Sequence, residues 1–71
     1  MREWLKDART KAGFTMKDVG EKLGISESYY CAIEKGERQK KMDMMVASGL
    51  SMILGIPISE IVRMEQMRKT G

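Results

Sequence analysis

The residues best equipped for chemistry in this chain are cations gathered in one short stretch. Lys35, Arg38, Lys40 and Lys41 fall within KGERQKK, a density that the rest of the chain does not match. Such a run is either a solvated loop or a clamp for an anion. The excess of 13 Lys and Arg over 10 Asp and Glu, net +3, suits an anionic partner without identifying one. There is no histidine and only one cysteine, Cys31. An internal disulfide, a tetrahedral zinc site and the usual nucleophile and base pairs are therefore out of reach. The chain reads as a non-enzyme without metal or cofactor, and the chemistry left to it is binding.

The elements that must position those cations lie on either side of them. Residues 15–36, TMKDVGEKLGISESYYCAIEKG, read as two short helices joined by a tight turn. Thr15 can cap the first, and Asp18 three residues later can return the bond as an acidic variant of a capping box. Gly24 suits its end, Ser26 caps the second helix and Gly36 closes it. Val19, Leu23, Ile25, Tyr30 and Ile33 must meet across the corner, with the small Gly20 at the closest approach of the two helices. Upstream, residues 2–12 carry Trp4, Leu5, Ala8 and Ala12 on one stripe, and Arg2, Glu3, Lys6, Asp7 and Lys11 on the other faces. Arg9 sits beside that stripe, within reach of the interior. Phe14, just before the Thr15 cap, is placed to act as a staple against Val19.

Downstream, Asp43 can cap a fourth helix from Met44 to Leu54, striped by Val46, Leu50, Ile53 and Leu54. Gly55 ends it, and Pro57 suits the first turn of a fifth helix running to about Met67. Gly49 has two readings: another helix approaches closely there, or the helix is marginal alone. Residues 68–71 read as a polar tail. The whole, 1–71, is one small all-α domain near the size where a single core just suffices.

The two helices of 15–36 have the spacing of a helix-turn-helix, whose second helix enters the DNA major groove while the first crosses the backbone. Counted from the start of that second helix, Glu27, Ser28 and Tyr29 project first toward a groove, with Ala32 one turn on. Glu27 can accept from a cytosine amino group, Ser28 can donate or accept, and a tyrosine ring can lie on a thymine methyl. Ala32 offers only a methyl group. A reader so short of bidentate groups implies modest specificity, with DNA shape contributing. The helix dipole alone also favours Glu27 in a first turn, and both readings of it stand. Tyr30 faces the core, which leaves Tyr29 as the functional tyrosine, and Cys31 falls on the outer face as a small helix residue.

Thr15, Val19, Leu23-Gly24-Ile25-Ser26, Ile33-Glu34 and Gly36 carry a further signal, with Leu5, Ala8-Arg9 and Gly13 upstream and Leu54-Gly55-Ile56, Glu60 and Ile61 downstream. Over nearly the whole chain this pattern resembles the Cro/C1-type (XRE-like) family of bacterial and phage transcriptional regulators. The resemblance implies a five-helix, lambda-repressor-like DNA-binding domain with a central helix-turn-helix at about 15–36. It implies that Arg9 pairs with Glu34, tying the first helix to the third. From the residues alone that pair stays open. It is either a partly buried pair, costing roughly 3–5 kcal/mol if one partner is removed, or two solvated charges worth about 0–1 kcal/mol. The resemblance further implies base contacts from Glu27, Ser28, Tyr29 and Ala32, and phosphate contacts from Lys35, Arg38, Lys40 and Lys41, with Lys17 weaker. Relatives usually carry glutamine where Met16 stands. At Met16 only the backbone N–H groups of residues 16 and 17, with the helix dipole, remain to hold a phosphate. The basic loop also departs from the family pattern in being longer and lacking a proline.

Ile58, Ile61, Val62, Met64 and Met67 give the fifth helix more apolar surface than so small a core covers. Residues 43–68 are therefore expected to form a dimer interface, with Ile58, Ile61, Val62 and Met64 in it. The alternative is that the fifth helix merely closes the monomer. The function expected is a repressor that binds an inverted repeat in double-stranded DNA as a homodimer, its half-sites about 10–10.5 bp apart or a multiple of that. The competing function is a protein-interaction module on the same scaffold, antitoxin-like or antirepressor-binding, whose last two helices grip a partner. The opening MREW shows no apolar signal segment, so a cytoplasmic location is expected. Residues 44–58 are interrupted by Gly49, Gly55 and Pro57 and fall short of the roughly 20 apolar residues a span needs, so no membrane association is expected.

Overall fold

The structure is a computed structural model that describes residues 1–67, so the polar tail at 68–71, and with it the end of the 43–68 region, lies outside the described residues. The chain forms α1 (Glu3–Ala12), α2 (Met16–Leu23), α3 (Glu27–Lys35), α4 (Met44–Leu54) and α5 (Ile58–Met67), with no strand among the described residues. Local chemistry sets these boundaries. Asp18 N donates to Thr15 Oγ1 at 3.0 Å and Thr15 N donates to Asp18 Oδ2 at 2.9 Å, a complete capping box at the start of α2. The Thr15 amide, more than any nearby lysine, holds the Asp18 carboxyl below its usual range. Ser26 Oγ accepts from Tyr29 N at 3.1 Å and Asp43 Oδ1 from Val46 N at 2.9 Å, capping α3 and α4.

The core takes at least one fully buried side chain from every helix: Leu5, Val19, Tyr30, Ile33, Ala47, Leu50 and Ile61. Phe14, Leu23 and Ile25 pack against it half-buried. The turn between α2 and α3 depends on Gly20, where an added Cβ would stand 3.2 Å from Ile25 O and 3.4 Å from Ser26 O. Gly49 marks a second close approach, its Cβ position being 2.6 Å from Leu23 Cδ2, so that α4 lies tight against α2.

Several sequence expectations need correction. Ala12 is exposed, and the buried face runs instead from the N-cap residue Arg2 through Leu5 and, at its margin, Arg9 of α1. The interior below the start and middle of α1 contains carbonyls and a carboxylate at the end of α3, which demand the cations Arg2 and Arg9, while Ala12 stands beyond it at the end of the helix. In α4 the buried positions are Ala47 and Leu50, while Val46, Ile53 and Leu54 are half-buried. That helix packs on α1, α2 and α5, so more than one of its faces turns inward. Ile61 is 1% exposed and belongs to the monomer core, so it is not available to a dimer interface. No single helix among the described residues is long and apolar enough to cross a membrane, and α4 and α5 meet at an angle of 116°.

Candidate nucleic-acid interface

The capped α2–α3 corner presents a polar edge. Glu27, Ser28 and Lys35 of α3 are exposed, Ala32 and Cys31 are half-buried, and Lys17 is exposed in the first turn of α2. Met16 is half-buried against the core, which removes much of its side chain from solvent. The amides of Met16 and Lys17 lack intrahelical acceptors, as first-turn amides do, and the helix dipole adds partial positive charge there. Tyr29 is also half-buried, and its hydroxyl accepts from Gln39 Nε2 at 3.0 Å. That leaves the Tyr29 ring edge and the hydroxyl proton for an external partner.

The loop after α3 continues its last turn, with Glu37 N and Arg38 N both donating to Ala32 O at 2.9 and 3.2 Å. Gln39 follows with φ +54°, a left-handed conformation seldom adopted by a residue with a side chain. Its side chain bridges the Tyr29 hydroxyl and, through Oε1, the Asp43 amide at 3.1 Å, linking α3 to the cap of α4. Lys35, Arg38, Lys40 and Lys41 are all exposed. The structure divides them. Arg38 is tied by its backbone to the end of α3, whereas Lys40 and Lys41 line a groove of about 280 Å³ with Met44, Val62 and Glu65 on the α4 and α5 side.

Two arginines, Arg9 of α1 and Arg2 at its N-cap, support this edge from beneath. Arg9 Nε lies 2.7 Å from Glu34 Oε2, its Nη2 lies 3.4 Å from Oε1, and its Nη1 donates to Phe14 O at 2.9 Å. Glu34 is fully buried, while the Arg9 side chain is 12% exposed. The bond to Glu34 pushes the Arg9 guanidinium above even its ordinary range. Beside them the buried Tyr30 hydroxyl has no hydrogen-bond partner among the described residues, and burial, then the nearby Glu34, holds it well above the usual phenol range.

The other arginine is a functional candidate that the sequence reading placed on a solvated face. Arg2 is fully buried. Its Nη1 donates to Ile33 O at 2.6 Å and Arg38 O at 3.2 Å, its Nη2 to Gln39 O, and its Nε to Glu65 Oε2 at 3.0 Å. Trp4 Nε1 donates to the same Glu65 oxygen at 2.7 Å, and Arg2 N to Glu34 O at 2.7 Å. A signal for this was present: Arg2, Leu5 and Arg9 follow i, i+3, i+7, the spacing of one helix face. On α5, Ile58 and Met64 are half-buried, whereas Val62 and Met67 are exposed, as are Met44, Met45 and Met52 of α4.

Residues 5–61 match the model of the helix-turn-helix family. A stretch of 39 residues is 44% identical to YqaF, described as an uncharacterised HTH-type transcriptional regulator, of Bacillus subtilis (strain 168). That alignment covers 55% of this chain and 51% of YqaF, so the chain spans about half the length of the curated relative it matches. No solved structure matches the chain.

Proposed function

The chain belongs to the helix-turn-helix family, and from that premise we propose that it binds duplex DNA in a sequence-dependent way as a homodimer and represses transcription by occluding a promoter. One observation carries this reading: a capped α2–α3 corner, closed at Gly20, that leads directly into exposed Lys35, Arg38, Lys40 and Lys41. With α3 in the major groove, Glu27, Ser28, Tyr29 and Ala32 read base edges. The first-turn amides of α2, Lys17 and the loop cations hold phosphates. The loop and α2 contacts supply most of the affinity, and the sparse reader keeps intrinsic specificity modest. Ile58, Val62 and Met64, extended by exposed Met67, form the twofold contact in this proposal.

Selection from a random duplex pool at about 100 mM salt tests it, with binding to the recovered sites repeated across salt concentrations. An enriched inverted repeat is the expected result. Replacing Lys40 and Lys41 by alanine is expected to weaken binding to all sequences alike and flatten the salt dependence, whereas Tyr29→Ala alters sequence preference. A second reading draws on the exposed Met44, Met45 and Met52 of α4: an interaction module whose α4 and α5 grip a partner protein. A monomer that enriches no duplex would favour it.

A further inference from the structure

Among the described residues Arg2 heads the largest fully buried side chains, and it carries a permanent charge. Burying a guanidinium is unfavourable unless its N–H groups find acceptors. Here four of its five N–H groups do, and three of the acceptors are main-chain carbonyls, Ile33 O, Arg38 O and Gln39 O. Ile33 lies in the last turn of α3, where a cation is favoured by the dipole, and its carbonyl accepts from Arg2 as well as from the Gly36 amide at 3.1 Å. The other two belong to the loop, at and beside the residue with φ +54°. A left-handed glutamine must be held in place, and Arg2 holds its carbonyl while Tyr29 and Asp43 hold its side chain. The fourth acceptor, Glu65, fixes Arg2 to α5 and is itself fixed by Trp4.

We propose that Arg2, locked by Glu65, is a positioning residue that sets the conformation of the 36–41 loop and so presents its cations to DNA phosphates, without itself touching DNA. This rests on the DNA-binding reading above. The loop is not a flexible basic tether in this account, because its backbone is clamped to the same buried charge that anchors the end of α3. Removal of Arg2 therefore loosens the loop while leaving the α2–α3 corner, capped by its own side chains, in place.

The test combines amide hydrogen exchange with a salt series on the recovered duplex, for the full chain, Arg2→Met, Arg2→Lys and Glu65→Gln. In Arg2→Met, exchange at the Glu37 and Arg38 amides is expected to accelerate at least about tenfold relative to that at Val19, the local opening no longer being opposed. The slope of log affinity against log salt is expected to fall by about 1–2, with affinity near 100 mM salt dropping roughly tenfold per lost phosphate contact and base preference unchanged. Arg2→Lys keeps the charge but concentrates its donors on one nitrogen, so it lands between the two. Should Arg2→Met fail to fold, Glu65→Gln carries the test, with a smaller change in the same direction. A folded variant with lowered melting temperature but unchanged loop exchange and salt slope would reduce Arg2 to a stabiliser and overturn the proposal. A wild-type chain that binds no duplex would instead overturn the functional reading, while loop exchange would still decide whether Arg2 sets the loop.

Discussion

Arg9 of α1 and Arg2 at its N-cap lie seven residues apart, and both reach the C-terminal end of α3, but they are built on different partners. Arg9 meets a side chain, the buried carboxylate of Glu34, with one carbonyl added from Phe14. Arg2 meets three carbonyls and a carboxylate 63 residues away in the chain. A clamp that closes on a side chain leaves two charged residues in the sequence to be noticed. One that closes mainly on backbone leaves, apart from a carboxylate at the far end of the chain, only its own half, because any residue type supplies a carbonyl. The Arg2 clamp is also the more completely dehydrated of the two, its side chain having no exposure against 12% for Arg9.

If dehydration and the number of orphaned acceptors decide the cost, Arg2→Ala is expected to be the most damaging single change, at about 3–5 kcal/mol. Arg9→Ala is expected near the lower end of that range, since water can reach the vacated site. Thermal melts check the order, each kcal/mol being worth roughly 4–8 °C in a domain of this size. A reversed order would mean that the carbonyls of the loop find water easily and that the side-chain pair is the stronger tie.

The two interior glycines sharpen the same contrast between backbone and side-chain neighbours. At Gly20 an added methyl meets main-chain atoms of the turn, which cannot rotate away, and Gly20→Ala is expected to cost about 1–3 kcal/mol. At Gly49 it meets only the end of the half-buried Leu23 side chain, and the gain in helix propensity of about 1 kcal/mol offsets the repacking. Gly49→Ala is therefore expected within about 1 kcal/mol of wild type by denaturant titration. An equal loss at both sites would break the distinction.

Next to the Arg9–Glu34 pair, Tyr30 carries a buried hydroxyl with no hydrogen-bond partner among the described residues. Tyr30→Phe is expected to leave stability unchanged or raise it by about 1 kcal/mol. It also bears on alkaline behaviour. The phenol is held above its ordinary value of about 10 in the fold, so the unfolded chain releases that proton first. Stability present below about pH 10 is then lost as pH rises beyond it, and Tyr30→Phe is expected to flatten that limb of a pH–stability curve. A further effect concerns the α2 cap. Thr15→Ala is expected to cost about 1 kcal/mol. Because the folded Asp18 is held below the unfolded value of about 3.9, its contribution is present above that pH and fades as pH falls through the folded value. An acid titration in which Asp18→Asn loses stability with the same pH dependence as wild type would remove that role.

The fold was legible where local rules act alone. Thr15, Asp18, Ser26 and Asp43 are caps in the structure as the sequence implied, because a cap needs only residues three positions away. The division of Tyr30 into the core and Tyr29 toward the edge followed from helical spacing in the same way. The α1 stripe failed at Arg2 because apolar periodicity assigns charged residues outward, and it has no means of registering an interior lined with backbone carbonyls. It failed at Ala12, at the exposed end of α1, because periodicity does not say how far along a helix the core extends. Ile61 was misassigned for a related reason: the sequence revealed an apolar face on α5 but not how much of it α5 itself turns into the monomer core.

By itself the sequence determined the helices, their caps, the tight corner at Gly20 and the family pattern, since each depends on residues close together in the chain. Tertiary structure alone decided which cations are buried and which are displayed. Arg2 and Lys41 are equally charged in the sequence. Only the convergence of α1, the end of α3, the loop and α5 gives Arg2 four acceptors and a buried place, while Lys41, lacking any such enclosure, stays in solvent at the rim of a groove.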